Sequence, residues 1–339
     1  MAEYLSRGAF REKLLRSIDK YLALSENNSL TIGLVKGEKM YIFGKENAER
    51  LMYDIGSITK TVTAHIVLSL ADEGKINIQD SIDRYLDLPE GKYPTVYALL
   101  THTAGYGNLT PWEITIPALI RHGYARANIY ERCDSRRLMR SIKRRKKYRE
   151  SGYGYSDFAY AILALICEVV TGVCFADLIE DFVQNRLGMT ETVVIADEKS
   201  REPKAALGRR TIDYWRWERE NPYIGGGGLV STVSDMMKYL LIQTRSKEKF
   251  ITDAHAVCEK SRSDRSNIMT CIGWHTYKKS NQLWHVGGVG TFRSSVIFNR
   301  KCGIGVVALG NAKGVASANV HYIAKMLYSE MKIRKIKLN

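Results

Sequence analysis

Apolar residues at Phe10, Leu14, Leu15, Ile18, Tyr21 and Leu22 recur at the spacing of one helix face, so residues 8–24 read as an amphipathic helix. Two apolar runs, 29–35 and 40–44, follow around Lys36-Gly37-Glu38 and predict a pair of strands. The pattern is helical again from Ile58 to Glu73 and stops near Gly74, with Ser57 at the head, where a capping residue belongs. Residues 76–220 look mainly helical with long connections. From 270 onward the texture is that of strands, over 272–277, 282–286, 292–298 and 304–309, and a last helix is expected from about 316 to 331. Strands near both ends and helices between them predict an α/β fold, one sheet assembled from both termini with helices on its faces. The expected division is a discontinuous sheet domain, 1–60 and 221–339, and a mainly helical domain, 61–220, with the active site between them.

Composition adds little to that picture. The chain has 339 residues, of which 45% are apolar and 26% charged, as in an ordinary compact globular protein. The N-terminal Met1-Ala2-Glu3-Tyr4-Leu5-Ser6-Arg7 runs straight into charged residues, and the apolar stretch Ala159 to Val170 is interrupted by Glu168 and too short for a bilayer. A cytoplasmic chain, neither exported nor embedded in a membrane, is the expectation. The six cysteines (Cys133, Cys167, Cys174, Cys258, Cys271, Cys302) show no CxxC pair and read as scattered reduced thiols. The seven histidines show no HExxH spacing, and no metal or other cofactor is expected.

Charge changes the picture locally. The net charge is +15, and the segment from Arg132 to Arg149 holds ten basic residues against the single acid Asp134, so +9 of the total sits there. Leu138, Met139 and Ile142 give this run a narrow apolar stripe, which predicts a surface helix with cationic faces. It reads either as a solvated face or as a rim over residues 132–149 that draws an anionic polymer or membrane surface toward the protein. Nucleic acid is disfavoured as a partner, because no binding module is visible and Tyr148 is the one aromatic residue in the run.

The candidate chemistry begins at Ser57-Ile58-Thr59-Lys60. Three residues apart at a helix start, a serine and a lysine share one face, so the amine can reach the hydroxyl. A serine hydroxyl attacks poorly until a neighbouring base takes its proton, and a buried lysine with a lowered pKa can serve. On spacing alone a capping serine beside a solvated lysine explains the same residues.

Further motifs follow in order. They are Leu99-Leu100-Thr101-His102-Thr103-Ala104-Gly105-Tyr106, Tyr155-Ser156-Asp157, Gly226-Gly227-Gly228-Leu229-Val230-Ser231-Thr232-Val233-Ser234-Asp235 and His285-Val286-Gly287-Gly288. With Ser57-x-x-Lys60 they resemble the serine β-lactamase and penicillin-binding-protein superfamily, most closely its class C β-lactamase, D-Ala-D-Ala carboxypeptidase and family VIII esterase branch. The resemblance runs from about Tyr21 to Leu327. It implies a β-lactamase/transpeptidase-like fold, an antiparallel sheet flanked by helices with a mainly helical insertion. It also implies that Ser57 becomes acylated, that Lys60 and Tyr155 handle the proton, and that His285 orients or protonates the substrate or leaving group. Asp157, Gly287 and Gly288 would bind substrate, the backbone N–H groups of Ser57 and Gly288 forming an oxyanion hole. His102 is expected to be structural, and Gly225 to Gly228 lack the Lys-Ser/Thr that would follow in a phosphate loop.

Two departures bear on substrate. Asp157 stands where the family usually has Asn, and an ionised carboxylate only accepts hydrogen bonds. Near Lys60 it would hold the lysine protonated, or else it would bind a cationic group on the substrate. His285 stands where many relatives have Lys, which is more like carboxypeptidases and esterases. The implied function is an acyl-serine hydrolase acting on a small-molecule or peptide substrate, a D-amino-acid-type peptidase or carboxypeptidase first, then an esterase or weak β-lactamase. The alternative is a non-catalytic penicillin-binding or scaffold protein with a basic docking surface.

Overall fold

The computed structural model describes residues 2–23, 29–107, 128–145, 152–194, 215–261, 267–311 and 319–333, with positions 116, 120, 336 and 338; the side chains of 257–261 are outside the description. Its main sheet has nine strands among the described residues, in the spatial order β1-β3-β2-β12-β11-β10-β9-β8-β7, with β7 (Val257–Ser261) at the far edge. The central members are β2 (Ser29–Lys36), β12 (Ile304–Asn311), β11 (Phe292–Asn299) and β10 (Leu283–Val289), so the two ends of the chain meet in mid-sheet. There Ile32 stands opposite Ala308, and Val296 opposite Val307, both in antiparallel ladders. The sheet is mixed rather than wholly antiparallel, because the edge strand β1 (Glu3–Tyr4) runs parallel to β3 (Lys39–Phe43).

Side chains on a strand alternate between faces, and β12 fills both. Val306 and Ala308 pack with Leu14, Ile18 and Tyr21 of helix α1 (Glu12–Leu22) and with Val320, Ile323 and Leu327 of the C-terminal helix, Asn319–Lys332. Val307 and Leu309 turn the other way, toward Met237 and Leu240 of the helix Val233–Arg245. Each face therefore removes a separate set of apolar side chains from water, worth roughly 1.5–3 kcal/mol for each fully buried large one. The outward face of α1 is polar, as its 3.6-residue pattern predicts.

The expected helix over 8–24 is shorter, and a 3₁₀ turn at Arg7–Ala9 precedes it. Of the strand expected over 272–277 only β9 (His275–Tyr277) forms, and an unexpected strand, β8 (Ile268–Cys271), precedes it. Gly273, at φ +74°, turns the chain between them and lets Cys271 N–H donate to the Trp274 carbonyl at 2.8 Å.

The other half is helical. Helix α2 (Thr59–Asp72) is buried along nearly its whole length, as its apolar and small residues on all sides require. Beside it lies the helix Asp157–Thr171, buried from Phe158 to Cys167. Ser156 Oγ accepts from Ala159 N–H at its N-terminus, and Gly172 closes its C-terminus at φ +69°. A small antiparallel sheet, β4 (Met52–Asp54), β6 (Leu229–Thr232) and β5 (Val193–Val194), delivers the chain to Ser57. Among the described residues no single helix is long and apolar enough to cross a membrane, and Cys133, Cys167, Cys174, Cys271 and Cys302 are free thiols.

The basic run forms a helix over Ser135–Lys143, capped by the Asp134 carboxylate, which accepts from Arg137 N–H at 2.8 Å. Leu138 and Ile142 are buried, Met139 is half-buried, and Arg136, Arg140, Lys143 and Arg144 are exposed. Lys146, Lys147, Tyr148 and Arg149 lie outside the described residues.

Candidate active site

Ser57 does not cap α2. It sits inside a single 3₁₀ turn, Gly56–Ile58, and its side chain makes no cap hydrogen bond. Its half-buried hydroxyl instead accepts from Lys60 Nζ at 3.1 Å. That turn is possible because Gly56 adopts φ +52°, and because a Cβ there would stand 2.7 Å from the Gly288 nitrogen. Gly287 has no room for a side chain either: a Cβ would collide with the Ile55 carbonyl oxygen and Ser294 Oγ. Two glycine contacts thus seat the end of β10 against the serine turn, with the Gly288 amide beside it.

Lys60 is fully buried on the first turn of α2. Its ammonium nitrogen has three acceptors: Ser57 Oγ, Asp157 Oδ1 at 2.5 Å and the Gly226 carbonyl at 2.5 Å. Burial drives its pKa down, since a charge loses its hydration there; Asp157 beside it opposes that shift, and burial prevails. The glycine-rich segment therefore serves the lysine. Gly226 accepts from Lys60, and Gly225 accepts from Thr63 Oγ1 one turn further along α2 at 2.7 Å.

Asp157 opens the helix Asp157–Thr171, and both its oxygens are engaged. Oδ1 holds Lys60, and Oδ2 accepts from the Tyr130 hydroxyl at 2.6 Å. Tyr155, half-buried two residues earlier, places its ring 5.0 Å from Lys60 Nζ and 6.5 Å from the His285 ring. His285 is buried on β10, and its Nδ1–H donates to the Val286 carbonyl at 2.8 Å, which fixes the tautomer with the proton on Nδ1. His275 stacks on it at 5.1 Å.

The structure brings Ser57, Lys60, Tyr155, Asp157, His285, Gly287 and Gly288 into one neighbourhood. His102 proves to be the tyrosine's support. It is buried at φ +59°, its Nδ1 accepts from Ser156 N–H at 3.1 Å, and its ring lies 4.5 Å from Tyr155 and 5.1 Å from Tyr160. Four residues went unread in the sequence: Tyr130, Trp215, Trp217 and Tyr223 line the hollow beside Ser57, Asp157, Gly226 and Gly288. The one signal for them was the Trp-x-Trp spacing ahead of Asn221-Pro222-Tyr223, for no family motif covers Tyr130. A roomier hollow is lined by His255, Thr276, Ser280, Leu283 and Arg300, and by none of the site residues named above.

A buried lysine on a serine hydroxyl, with a tyrosine ring over the amine and a histidine strand alongside, is the arrangement that the ordered motifs imply. Residues 23–328 match the family model described as Beta-lactamase. The chain belongs to the β-lactamase family. This β-lactamase-family protein is 22% identical to Protein flp of Staphylococcus aureus (strain N315) over 325 residues, 88% of this chain and 61% of the relative. It is 26% identical to a teichoic acid D-alanine hydrolase of Staphylococcus aureus over 242 residues, 66% of this chain and 56% of the relative. The chain thus spans about three fifths of the length of these curated relatives.

Solved structures share the fold. The octameric penicillin-binding protein homologue from Pyrococcus abyssi superposes with a TM-score of 0.74 at 23% identity, over 95% of this chain and 77% of that one. A class C β-lactamase gives 0.73 at 18%, over 94% and 97%. The β-lactamase/D-alanine carboxypeptidase from Pseudomonas syringae gives 0.73 at 16%, over 96% and 98%.

Proposed function

We propose that the protein is a serine hydrolase that passes the acyl group of an ester or amide to Ser57 and then to water. The observation that carries this reading is the 3.1 Å contact between Ser57 Oγ and a fully buried Lys60 whose pKa burial lowers. Oγ attacks the carbonyl carbon while its proton passes to Lys60. The bond to the leaving oxygen or nitrogen then breaks, and the leaving group takes a proton relayed through Tyr155, with His285 orienting the group. Water attacks the acyl-serine ester, giving a proton to Lys60 that passes on to Ser57 Oγ as the acid departs. The N–H groups of Ser57 and Gly288 stabilise the oxyanion, at about 10²–10³-fold in rate for one such donor.

Among substrates, a D-amino-acid-type peptide or ester stands first. The hydrolase named for D-alanine among the relatives and the D-alanine carboxypeptidase among the neighbours support it. An esterase and a weak β-lactamase follow. Incubation with a fluorophosphonate should add one phosphonyl mass to the intact protein and none to Ser57→Ala. An adduct that persists in Ser57→Ala would dismiss the nucleophile. The second reading is a non-catalytic penicillin-binding or scaffold protein, favoured by the three acceptors around Nζ, which suit an ammonium. No adduct with any acylating or phosphonylating probe would favour it.

A further inference from the structure

The hollow beside Ser57 is walled by aromatic rings and one carboxylate. Tyr130 is its hub. Its ring stacks on Tyr223 with centroids 4.2 Å apart, and lies 5.9 Å from Trp215 and 6.1 Å from Trp217. Its hydroxyl donates to Asp157 Oδ2. Trp217 is buried, and its Nε1–H has no hydrogen-bond partner among the described residues. The open volume is about 40 Å³, room for a few water-sized groups. Ring faces attract a cation through their quadrupole, and a carboxylate attracts it by charge. Each Asp157 oxygen accepts one hydrogen bond within the protein, from Lys60 or from Tyr130. A carboxylate oxygen has two lone pairs, so a further donor can be taken, and 23% of the Asp157 side chain is open to it.

Distances fit a short cationic acyl group. Nζ of Lys60 lies 3.1 Å from Ser57 Oγ and 2.5 Å from Asp157 Oδ1, so nucleophile and carboxylate are within about 6 Å of one another, where a carbonyl carbon must come to about 3–3.5 Å from Oγ to react. An amine on the adjacent carbon is about 2.5 Å from that carbonyl carbon. It reaches Asp157 while the carbonyl reaches Ser57.

We propose that this hollow is a cation subsite in which the substrate's own α-ammonium binds between Asp157 and the Tyr130, Trp215 and Trp217 rings. By taking a share of the carboxylate, it loosens Asp157's hold on Lys60 and leaves the amine to Ser57. The substrates are then small aminoacyl esters or amides with a free amino group. N-acylated donors, penicillins among them, are disfavoured. The inference deepens the acyl-serine reading and rests on it for the chemical step, though not for binding.

Two readouts separate the two claims. Tryptophan fluorescence, followed during titration with alaninamide (each enantiomer) or with propionamide, measures cation recognition without any reaction at Ser57. At least tenfold tighter binding of one alaninamide enantiomer is expected in wild type, lost in Asp157→Asn and reduced several-fold in Trp215→Leu. Equal binding of alaninamide and propionamide, or an ammonium preference retained in Asp157→Asn, overturns the subsite. Hydrolysis of alanyl, N-acetylalanyl and propionyl p-nitroanilides then tests the coupling. The free-amine substrate should lead by tenfold or more in kcat/KM, and Asp157→Asn should erase or invert that order. Turnover that favours N-acetylalanyl overturns the proposal while the acyl-serine reading stands. Selective alaninamide binding with no fluorophosphonate adduct at Ser57 would leave the subsite intact and remove the hydrolase.

Discussion

Replacing Asp157 by Asn probes how the site sets its base. Lys60 Nζ and Asp157 Oδ1 are 2.5 Å apart. At an effective dielectric of about 20, that separation is worth roughly 6–7 kcal/mol of attraction. That attraction holds the lysine pKa up against burial. Part of it is cancelled by the cost of desolvating the carboxylate, and the Asn oxygen still accepts a hydrogen bond from Nζ, so only a share of it is lost on substitution. Burial lowers the Lys60 pKa and is untouched by the change. The sign follows: without the carboxylate, Nζ loses its proton at lower pH. The other groups facing Nζ are Tyr153, which also raises its pKa, and the Tyr155 and Tyr160 rings. The assay is the pH dependence of kcat/KM for a neutral ester such as p-nitrophenyl acetate, chosen because it carries no ammonium. The acid limb should move to lower pH in Asp157→Asn. An unmoved limb, or one that moves up, would refute Lys60 as the group that takes the serine proton.

Further outcomes are expected elsewhere. Gly56→Ala places a Cβ at φ +52° and 2.7 Å from the Gly288 nitrogen; the strain is about 1–3 kcal/mol. The rate of phosphonylation by a fluorophosphonate should fall by about 10²-fold, and a rate within a few-fold of wild type would show that the Gly288 amide has no part in the site. His255, pushed down to about 3, and His321, pushed down to about 4, are held neutral by burial. Below pH 6.5 the unfolded chain binds protons that the fold excludes, so stability should fall as pH drops from about 6.5 toward 4. Urea midpoints measured across that range check this, and His321→Gln should flatten the slope. Gln at Arg136 and Arg140, exposed on the helix Ser135–Lys143, and at Arg144, exposed at its C-terminal end, should change stability by no more than about 0.5 kcal/mol for each substitution. Thermal denaturation reads it, and a larger loss would show that these arginines themselves, and not only Leu138 and Ile142, hold the helix in place.

The strand pairs and helices near both ends were legible because apolar periodicity reports burial, and burial made those elements. Val306 to Leu309 read as a strand, and that strand is filled on both faces. Spacing placed Lys60 one turn from Ser57, while the tyrosine, histidine and glycine motifs were legible through their resemblance to a family whose motifs come in the same order. Where spacing was the wrong guide, backbone conformation intervened. Ser57 left the cap position because Gly56 allows a 3₁₀ turn, and Gly273 turns the chain inside the stretch expected to start a strand at 272. Of the partners of Asp157, Lys60, 97 residues away along the chain, was reached through the family resemblance, and Tyr130, 27 residues before it, was not legible. Trp215 and Trp217 stand 58 and 60 residues after Asp157 in the sequence, and folding brings them to Tyr130. Sequence alone determined that an aspartate replaces the usual asparagine in a serine-hydrolase motif. The tertiary fold decided what that aspartate does, because a charge acts through distance and burial, and folding alone sets both.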